Sequence, residues 1–454
     1  MKGQLVRSIM YPKPVDFRFT KDLFKFVGFL GCISGCGFIY TIIIMVLRGS
    51  TLRRVIVRAL DIITITVPPA LPAAMSVGII NAQLRLKNKE IYCISPSTIN
   101  TCGAINVVCF DKTGTLTEDG LDFHVLRGVN EPSSSKDPSF TTDARIRTIM
   151  VTGDNLLTAM SVARECGIIR PNKRAFLVEH CPGEVDLRGR TKIVVKQSVS
   201  SSGDILDDES IMPKSLKDAE LGELIQSSYH LAISDLIYFI FIFSVCYRLR
   251  WHACYSGPTF AVVTHEYPEL IDSLVTVCDV FARMAPDQKQ QLINCLQEVN
   301  YTVAMCGDGA NDCAALKAAH AGISLSDSEA SIAAPFTSKV ADIRCVPTII
   351  SEGRAALVTS FGIFKYMAGY SLTQFVTVML LYYISNILTD GQFMYIDMFL
   401  ITLLAVLFGN TSAYENLCPT PPPTRLLSIA SICSVLGQLA IMGTTQVSNV
   451  LLIS

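Results

Sequence analysis

One aspartate in this sequence stands where a nucleophile for a phosphoryl group is needed. The segment 106–117 reads NVVCFDKTGTLT, and its apolar residues predict a buried strand that delivers Asp111 to a turn. Gly114 allows the chain to turn sharply after that strand. An aspartate can form an acyl-phosphate, which divides one difficult displacement into two easier steps. A bare Asp-x-Thr pattern would fit a strand with a polar turn equally well.

Three later segments carry polar residues beside predicted elements. TGD at 152–154 follows a predicted strand at 146–151, and GDGAND at 307–312 follows a predicted strand at 301–306. Lys289, in the segment MAPDQK, opens a predicted helix. The carboxyl ends of parallel strands meet at one sheet edge, where open α/β sheets bind their ligands. Taken alone, GDGAND would also suit the first turn of a helix.

In this order, the four segments resemble the motifs of P-type ATPases. The segment 94–122, which contains DKTGT, and VPPALP at 67–72 are similar to the B branch of the type-5 members of that family. The resemblance implies an ATP-driven pump that forms an aspartyl-phosphate, with Mg²⁺ and ATP as cofactors. It also implies transport of a cationic small molecule, with a polyamine suspected, across an endosomal, lysosomal or other internal membrane.

The expected chemistry assigns a role to each motif residue. Phosphoryl transfer to Asp111 brings two anions together, so Mg²⁺ is expected to neutralise them. Asp308 and Asp111 are predicted to bind the ion, and the resemblance adds the Thr113 carbonyl as a third ligand. Thr152 and Lys289 are predicted to hold the phosphoryl oxygens. The remaining motif residues are assigned to the nucleotide and to the orientation of its phosphates: Thr113, Gly153, Asp154, Asn311 and Asp312.

The composition places much of the chain in a lipid bilayer. Half of the 454 residues are hydrophobic and the mean hydropathy is +0.41, which together are too apolar for an ordinary soluble domain. The net charge of -1 gives no indication of nucleic-acid binding. Sixteen scattered cysteines are expected to be reduced thiols rather than a disulfide framework. Five apolar segments predict membrane spans: 27–47, 61–82, 357–383, 393–408 and 426–452.

The second predicted span is interrupted by three prolines, which remove backbone donors and clash with the preceding turn. Broken backbone at membrane depth is tolerated where it is buried or lines a cavity, and its freed carbonyls can coordinate a cation. A simple proline kink is the alternative. The candidate transport residues of this segment are Pro68, Pro69, Ala70, Leu71 and Pro72.

Two other features of the apolar segments bear on transport and topology. Asp397 lies inside a predicted span, so it is a functional candidate, although an acid near the start of a helix at the membrane interface fits equally well. By resemblance, it matches a carboxylate suited to a cationic substrate. The residues between the first two spans are read as a basic linker with Arg53, Arg54 and Arg58, and they conflict with the positive-inside rule.

Alternating strands and helices predict a parallel sheet with Rossmann-like winding, so the fold class is α/β plus membrane α. The resemblance implies a haloacid-dehalogenase-like phosphorylation domain inserted between transmembrane helices. The apolar segment 235–255 is interpreted as an insertion within that domain rather than a span. The predicted domains are a cytosolic N-terminal segment, two spans, the phosphorylation domain and about three further spans, at 1–26, 27–84, 85–356 and 357–454.

Two parts of the family pattern have no match in this sequence. Residues 118–144 are too few for the nucleotide-binding domain that normally separates DKTGT from TGD, and the TGE loop of an actuator domain does not occur. Three interpretations follow: a transporter chain, an inactive membrane fragment or partner of the full-length pump, and a stand-alone phosphatase. The predicted spans argue against the phosphatase. We expect that the chain alone does not complete a transport cycle.

Overall fold

The computed structural model describes most of the chain, in segments separated by gaps. Predictions for Pro68, Pro69 and Ala70, for residues 118–144 and for residues 235–251 lie outside the described residues. The described residues are 18–49, 51–66, 71–117, 146–169, 175–185, 189–198, 252–308, 310–325, 334–384, 386–414, 417–423, 425 and 428–453.

The described strands form one ten-stranded sheet in the order β1-β10-β9-β8-β2-β3-β7-β6-β4-β5. Neighbouring strands are parallel except at the two edges, where β1 pairs with β10 and β5 pairs with β4 in antiparallel fashion. The strands are β1 Ile91–Cys93, β2 Val107–Phe110, β3 Arg147–Val151, β4 Ala175–Val185, β5 Thr191–Ser198, β6 His252–Ser256, β7 Cys278–Ala282, β8 Val303–Gly307, β9 Ala321–Ser324 and β10 Phe336–Ser338.

Helices cover the sheet and continue beyond it, with one short π-helical segment at Ile396–Thr402. The α-helices are α1 Arg18–Leu47, α2 Leu52–Thr66, α3 Leu71–Asn88, α4 Ser97–Cys102, α5 Leu156–Glu165, α6 Gly257–Glu266, α7 Ile271–Val277, α8 Pro286–Glu298, α9 Cys313–Ala318, α10 Cys345–Tyr383, α11 Asp390–Tyr395, α12 Leu403–Phe408 and α13 Ile429–Ile453.

The centre of the sheet reverses its winding at the strand that precedes Asp111. From β2 the chain adds β3 and β7 on one side, and later adds β8 and β9 on the other. Every residue of β2, β8 and β9 is buried, as expected for parallel strands covered on both faces. The crevice between β2 and β8 at their carboxyl ends is therefore the topological switch point, where ligands bind in such folds.

The predicted insertion at 235–255 lies outside the described residues except for its last four, which belong to β6. This strand pairs with β4 and β7 inside the sheet. Cys254 and Tyr255 are fully buried there. The sequence of 235–255 does not reveal β6, because a continuous hydrophobic segment does not show where an insertion ends and a buried strand begins.

Three described helices are long and apolar enough to cross a membrane: Asp22–Leu47, Gly391–Phe408 and Ile429–Val450. The predicted second span is divided between α2, which ends at Thr66, and α3, which begins at Leu71. The predicted third span, 357–383, is the later part of the 39-residue helix α10. At 1.5 Å per residue this helix is about 58 Å long, nearly twice the hydrocarbon thickness of a bilayer.

The basic linker predicted between the first two spans is wrong, since Arg53, Arg54 and Arg58 lie within α2. Charged residues ended the apolar run in the sequence, but the apolar residues keep a helical period. The buried side chains recur at helical spacing and pack on one side of the helix. They are Val55, Ala59, Ile62 and Thr66.

Helix α10 packs against the sheet with its first part and against the apolar helices with its later part. Its backbone also lies close to the end of α4. A methyl group at Gly353 would lie 2.6 Å from the Gly103 nitrogen and 2.7 Å from the Ile99 carbonyl oxygen. Beside this contact, Arg85 of α3 makes a 2.9 Å ion pair with the buried Glu352. Helices α3, α4 and α10 are therefore held as one block, and they share a buried apolar cluster with β2.

We expect Gly353→Ala to lower the free energy of unfolding by about 1–3 kcal/mol, because backbone atoms of α4 must move to admit the methyl group. Urea unfolding in mild detergent measures the change. Gly362→Ala on the same helix is the matched control, since nothing lies within 4 Å of its added methyl group. Equal stability of the two variants would contradict a tight α4–α10 joint.

Candidate active site

Asp111 lies where the sequence predicts it, directly after β2 at the switch point. Its backbone nitrogen donates to the Cys306 carbonyl at 2.9 Å, which ties it to the end of β8. The residue is 9% exposed, so the carboxylate is nearly buried. The Lys112 backbone nitrogen and the Lys289 ammonium both donate to Oδ1, at 2.8 and 3.0 Å. The second oxygen, Oδ2, receives neither of these hydrogen bonds.

Lys289 bridges two carboxylates. Its Nζ lies 3.0 Å from Asp111 Oδ1 and 2.7 Å from Asp312 Oδ1. Burial alone lowers the pKa of Lys289, but the Asp312 and Asp111 carboxylates outweigh burial and raise it above the ordinary value. Burial, together with the nearby Asp111 charge, raises the pKa of Asp312 despite its ion pair with Lys289. The ammonium therefore stays charged at neutral pH and partly neutralises the pair of acids.

The same crevice gathers the side chains of Asp111, Asp308 and Asp312, with one ligand oxygen of each within 4.8 Å of the others. Asp312 Oδ2 is buried and has no hydrogen-bond partner among the described residues. Carboxylate oxygens are the ligands that Mg²⁺ prefers. The residues present therefore fit the predicted ion, and Asp312 joins the predicted ligands Asp111 and Asp308.

The carboxylates of Asp308 and Asp312 occupy space that a side chain at either of two glycine positions would fill. Gly114 has φ +67°, and a methyl group built on it would lie 1.8 Å from Asp308 Oδ2. A methyl group on Gly307 would lie 2.5 Å from Asp312 Oδ2. The sequence predicts a sharp turn at Gly114, but it does not show that Gly114 lies so close to Asp308.

A second charged group lies beside the cluster. Lys112 Nζ is 2.6 Å from Asp154 Oδ2, and the Thr113 hydroxyl donates to the same oxygen at 3.1 Å. The hydrogen bond from Lys112 is the main cause of a lowered pKa for Asp154, which therefore stays ionised at neutral pH. The structure thus brings the predicted residues Thr113 and Asp154 together. Lys112 was not among the predicted site residues, although its place next to Asp111 was a signal for it.

The other predicted residues are distributed around this centre. Thr152 is 1% exposed, and its hydroxyl accepts from the Asp154 backbone nitrogen at 3.1 Å. Gly153 is exposed at the turn, and Asn311 is exposed beside the buried Asp312. Arg283 was missed by the sequence analysis. It has φ 53°, a conformation uncommon outside glycine, and its nitrogen donates to the Asp154 carbonyl at 2.8 Å.

The predicted transport residues are only partly described. Leu71 and Pro72 form the first turn of α3, a position that suits proline because its missing donor has no partner there. Asp397 lies in the π-helical segment 396–402, and its Oδ1 accepts a short hydrogen bond from the Tyr370 hydroxyl of α10. Single π-helical turns often mark functional positions. A carboxylate thus faces a polar partner on the neighbouring helix.

By sequence, the chain is a homologue of the cation-transporting ATPases of the 13A type. It is 49% identical to "Probable cation-transporting ATPase catp-6" and 39% identical to "Cation-transporting ATPase catp-5", both from Caenorhabditis elegans. It is 33% identical to "Polyamine-transporting ATPase 13A3" of Mus musculus. These matches cover 98%, 100% and 97% of this chain, and 52%, 53% and 52% of the respective relatives. No family model matches the chain.

The chain therefore spans about half the length of the curated relatives it matches. The match to catp-6 extends over 686 residues, which exceeds the 454 residues of this chain. Within the matched region, the relative consequently has residues that find no counterpart here.

Proposed function

We propose that this chain carries the phosphorylation unit of an ATP-driven cation pump. Asp111 Oδ2 attacks the γ-phosphorus of ATP, the bond from that phosphorus to the bridging oxygen breaks, and ADP leaves with the electron pair. The product is an acyl-phosphate on Asp111, which water hydrolyses later in the cycle. The observation that carries the proposal is the buried Lys289 ammonium between the Asp111 and Asp312 carboxylates at the switch point of the sheet.

Each side chain has a physical task in this reaction. Lys289 and the Lys112 nitrogen both hold Oδ1 of Asp111, which fixes the carboxylate and leaves Oδ2 for attack. The Lys289 charge also reduces repulsion between the carboxylate and an incoming phosphate. Asp154, held by Lys112, is assigned to orient the nucleotide together with Gly153. Thr152 is assigned to a phosphoryl oxygen, and Asn311 to the orientation of that group.

Asp111, Asp308 and Asp312 would hold Mg²⁺, with the Thr113 carbonyl as a further ligand. When bound, this ion supplies positive charge against the phosphate oxygens and the aspartate. The buried Asp312 Oδ2, which has no partner among the described residues, supports this assignment. Lys289 meanwhile keeps the protein's own acids close together.

The sheet is proposed to be a haloacid-dehalogenase-like domain inserted between transmembrane helices of an internal membrane. Three candidate spans and the continuation of α10 beyond the sheet support this arrangement. The proposed substrate is an organic cation, with a polyamine favoured because one relative is named a polyamine-transporting ATPase. Asp397, paired with Tyr370, and the proline-broken segment at Leu71 and Pro72 are the proposed transport residues.

The alternative is an inactive shortened form that acts as a membrane partner of a longer pump. The residues of catp-6 that have no counterpart within the matched region favour it. So does segment 118–144, which is too short for the nucleotide-binding domain that the resemblance implies. We expect this chain alone not to complete a transport cycle. We also expect its phosphorylation centre to accept a small phosphate donor that needs no nucleotide-binding domain.

Labelling of the purified chain tests the proposal. In detergent with Mg²⁺, we expect ³²P-acetyl phosphate to give a hydroxylamine-sensitive label and γ-³²P-ATP to give at least tenfold less. Asp111→Asn should abolish the label. Asp342→Asn, which alters an acid outside the crevice that pairs with Arg344, should keep it. Absence of label from either donor in a folded chain would favour the inactive form.

A further inference from the structure

The turn between α1 and α2 concentrates positive charge. Arg48 follows the last residue of α1, and Arg53, Arg54 and Arg58 lie in the first two turns of α2. Asp61 pairs with Arg58 at 3.0 Å. Arg53 and Arg54 are exposed and have no ion pair among the described residues. The turn therefore carries more positive than negative charge. Arg53, Arg54 and Arg58 are the same arginines that conflict with the positive-inside rule in the sequence.

This turn lies at the end of α10 that is remote from the sheet. The Arg48 guanidinium donates to the Tyr383 carbonyl and lies 5.9 Å from the centre of the Tyr383 ring. Tyr383 is the last residue of α10, whose first residue, Cys345, packs against the sheet. About 58 Å of helix separates the two ends. In a bilayer crossed by α1 and α10, the arginines would therefore lie at the surface opposite the sheet.

An apolar groove begins beside the same tyrosine. It runs between α1 and α10 and has a volume of about 350 Å³. Leu47 and Leu52, which flank the turn, are 81% and 75% exposed. Exposed leucines beside arginines suit the boundary between acyl chains and headgroups, where arginine stems lie along lipid and the guanidinium reaches phosphate. The residues that line the groove are Tyr40, Phe375, Val376, Met379, Leu380 and Tyr383.

We propose that an anionic phospholipid of the leaflet opposite the sheet binds here. One acyl chain occupies the groove between α1 and α10, and the phosphate and its acidic headgroup meet Arg53 and Arg54, with Arg48 at the mouth of the groove. Tyr383 contacts Arg48 and also lines the apolar groove, so positive charge and an apolar surface adjoin at this residue. An anionic phospholipid offers both a negative headgroup and an acyl chain, which favours it over a protein partner. Arginines close to an anionic lipid surface are attracted to it electrostatically, and this attraction depends on the charge of the lipid rather than on which leaflet carries it. The site rests on insertion of these helices in a bilayer and does not depend on phosphorylation of Asp111.

Lipid titration of the purified full chain in mild detergent tests the site. We expect dioleoyl-phosphatidylglycerol to raise the thermal unfolding midpoint, and dioleoyl-phosphatidylcholine, with the same acyl chains, to raise it much less. Arg53→Gln/Arg54→Gln should weaken the apparent affinity for phosphatidylglycerol by about five-fold for each arginine removed. Lys25→Gln, at the other end of α1, is the matched control and should bind like the unaltered chain.

A second variant separates the lipid from a free anion. Met379→Trp fills the groove without changing charge, so it should reduce retention of phosphatidylglycerol, measured by native mass spectrometry. Unchanged affinity in the double arginine variant would overturn the proposal. So would a midpoint shift of the same size from inorganic phosphate, or full lipid retention in Met379→Trp. Since acetyl phosphate labelling is read separately, failure of this site and failure of the proposed function are distinguishable.

Discussion

Lys289→Met is expected to abolish labelling from acetyl phosphate and to lower the free energy of unfolding by about 3–5 kcal/mol. Lys289 is 5% exposed, and its ammonium lies within 3.0 Å of two carboxylates, of which Asp312 is fully buried. Methionine keeps a similar length but removes the charge, so the two acids lose the cation that holds them together. Removing one member of a buried ionic group costs more than the group contributes, because it leaves uncompensated charge.

The double variant Lys289→Met/Asp312→Asn separates the two effects. It removes one buried acid together with the cation, so most of the lost stability should return. Labelling should stay absent, because the charge that faces the incoming phosphate is still missing. Urea unfolding in detergent and acetyl phosphate labelling of the same preparations give both readouts. Wild-type stability in Lys289→Met, or label in the double variant, would contradict the proposed role of Lys289.

The elements around Asp111 are predictable from the sequence because their signals are local. Four apolar residues before Asp111 indicated a strand, and the structure places that strand at the centre of the sheet. The helix after Asp154 runs from Leu156 to Glu165 between two local signals, the N-cap Asn155 before it and Gly167 after it. Strand ends and helix caps depend on neighbouring residues, so pattern reasoning can place them within a residue or two.

Relations between distant segments could not be predicted in this way. The Lys112–Asp154 ion pair joins residues 42 apart in number and depends on the parallel pairing of β2 with β3. The start of α2 is not visible in the sequence, because its arginines interrupt the hydrophobic run without interrupting the helix. The strand β6 is not visible in the sequence, because it is buried by one neighbouring strand on each side, β4 and β7. In each case tertiary pairing decided what local composition left open.

Gly114 leaves space that the proposed active site needs, because it has no side chain. Gly114→Ala should disturb the carboxylate cluster, because its methyl group would lie 1.8 Å from Asp308 Oδ2. The positive φ of +67° adds strain of about 1–2 kcal/mol for any L-residue with a Cβ. Asp308 must therefore move away from Asp111 and Asp312. We expect labelling from acetyl phosphate to fall at least 100-fold, and the Mg²⁺ concentration that stabilises the chain against heat to rise at least tenfold.

Gly167→Ala is the matched control for this prediction. Gly167 has nearly the same backbone, with φ +73°, but nothing lies within 4 Å of an added methyl group. Both variants should lose a similar amount of stability from backbone strain, and Gly114→Ala should in addition lose label and Mg²⁺ stabilisation. Equal labelling in the two variants would mean that Asp308 can leave its place without consequence. The switch-point carboxylates would then be held by the fold for a purpose other than binding Mg²⁺ beside Asp111.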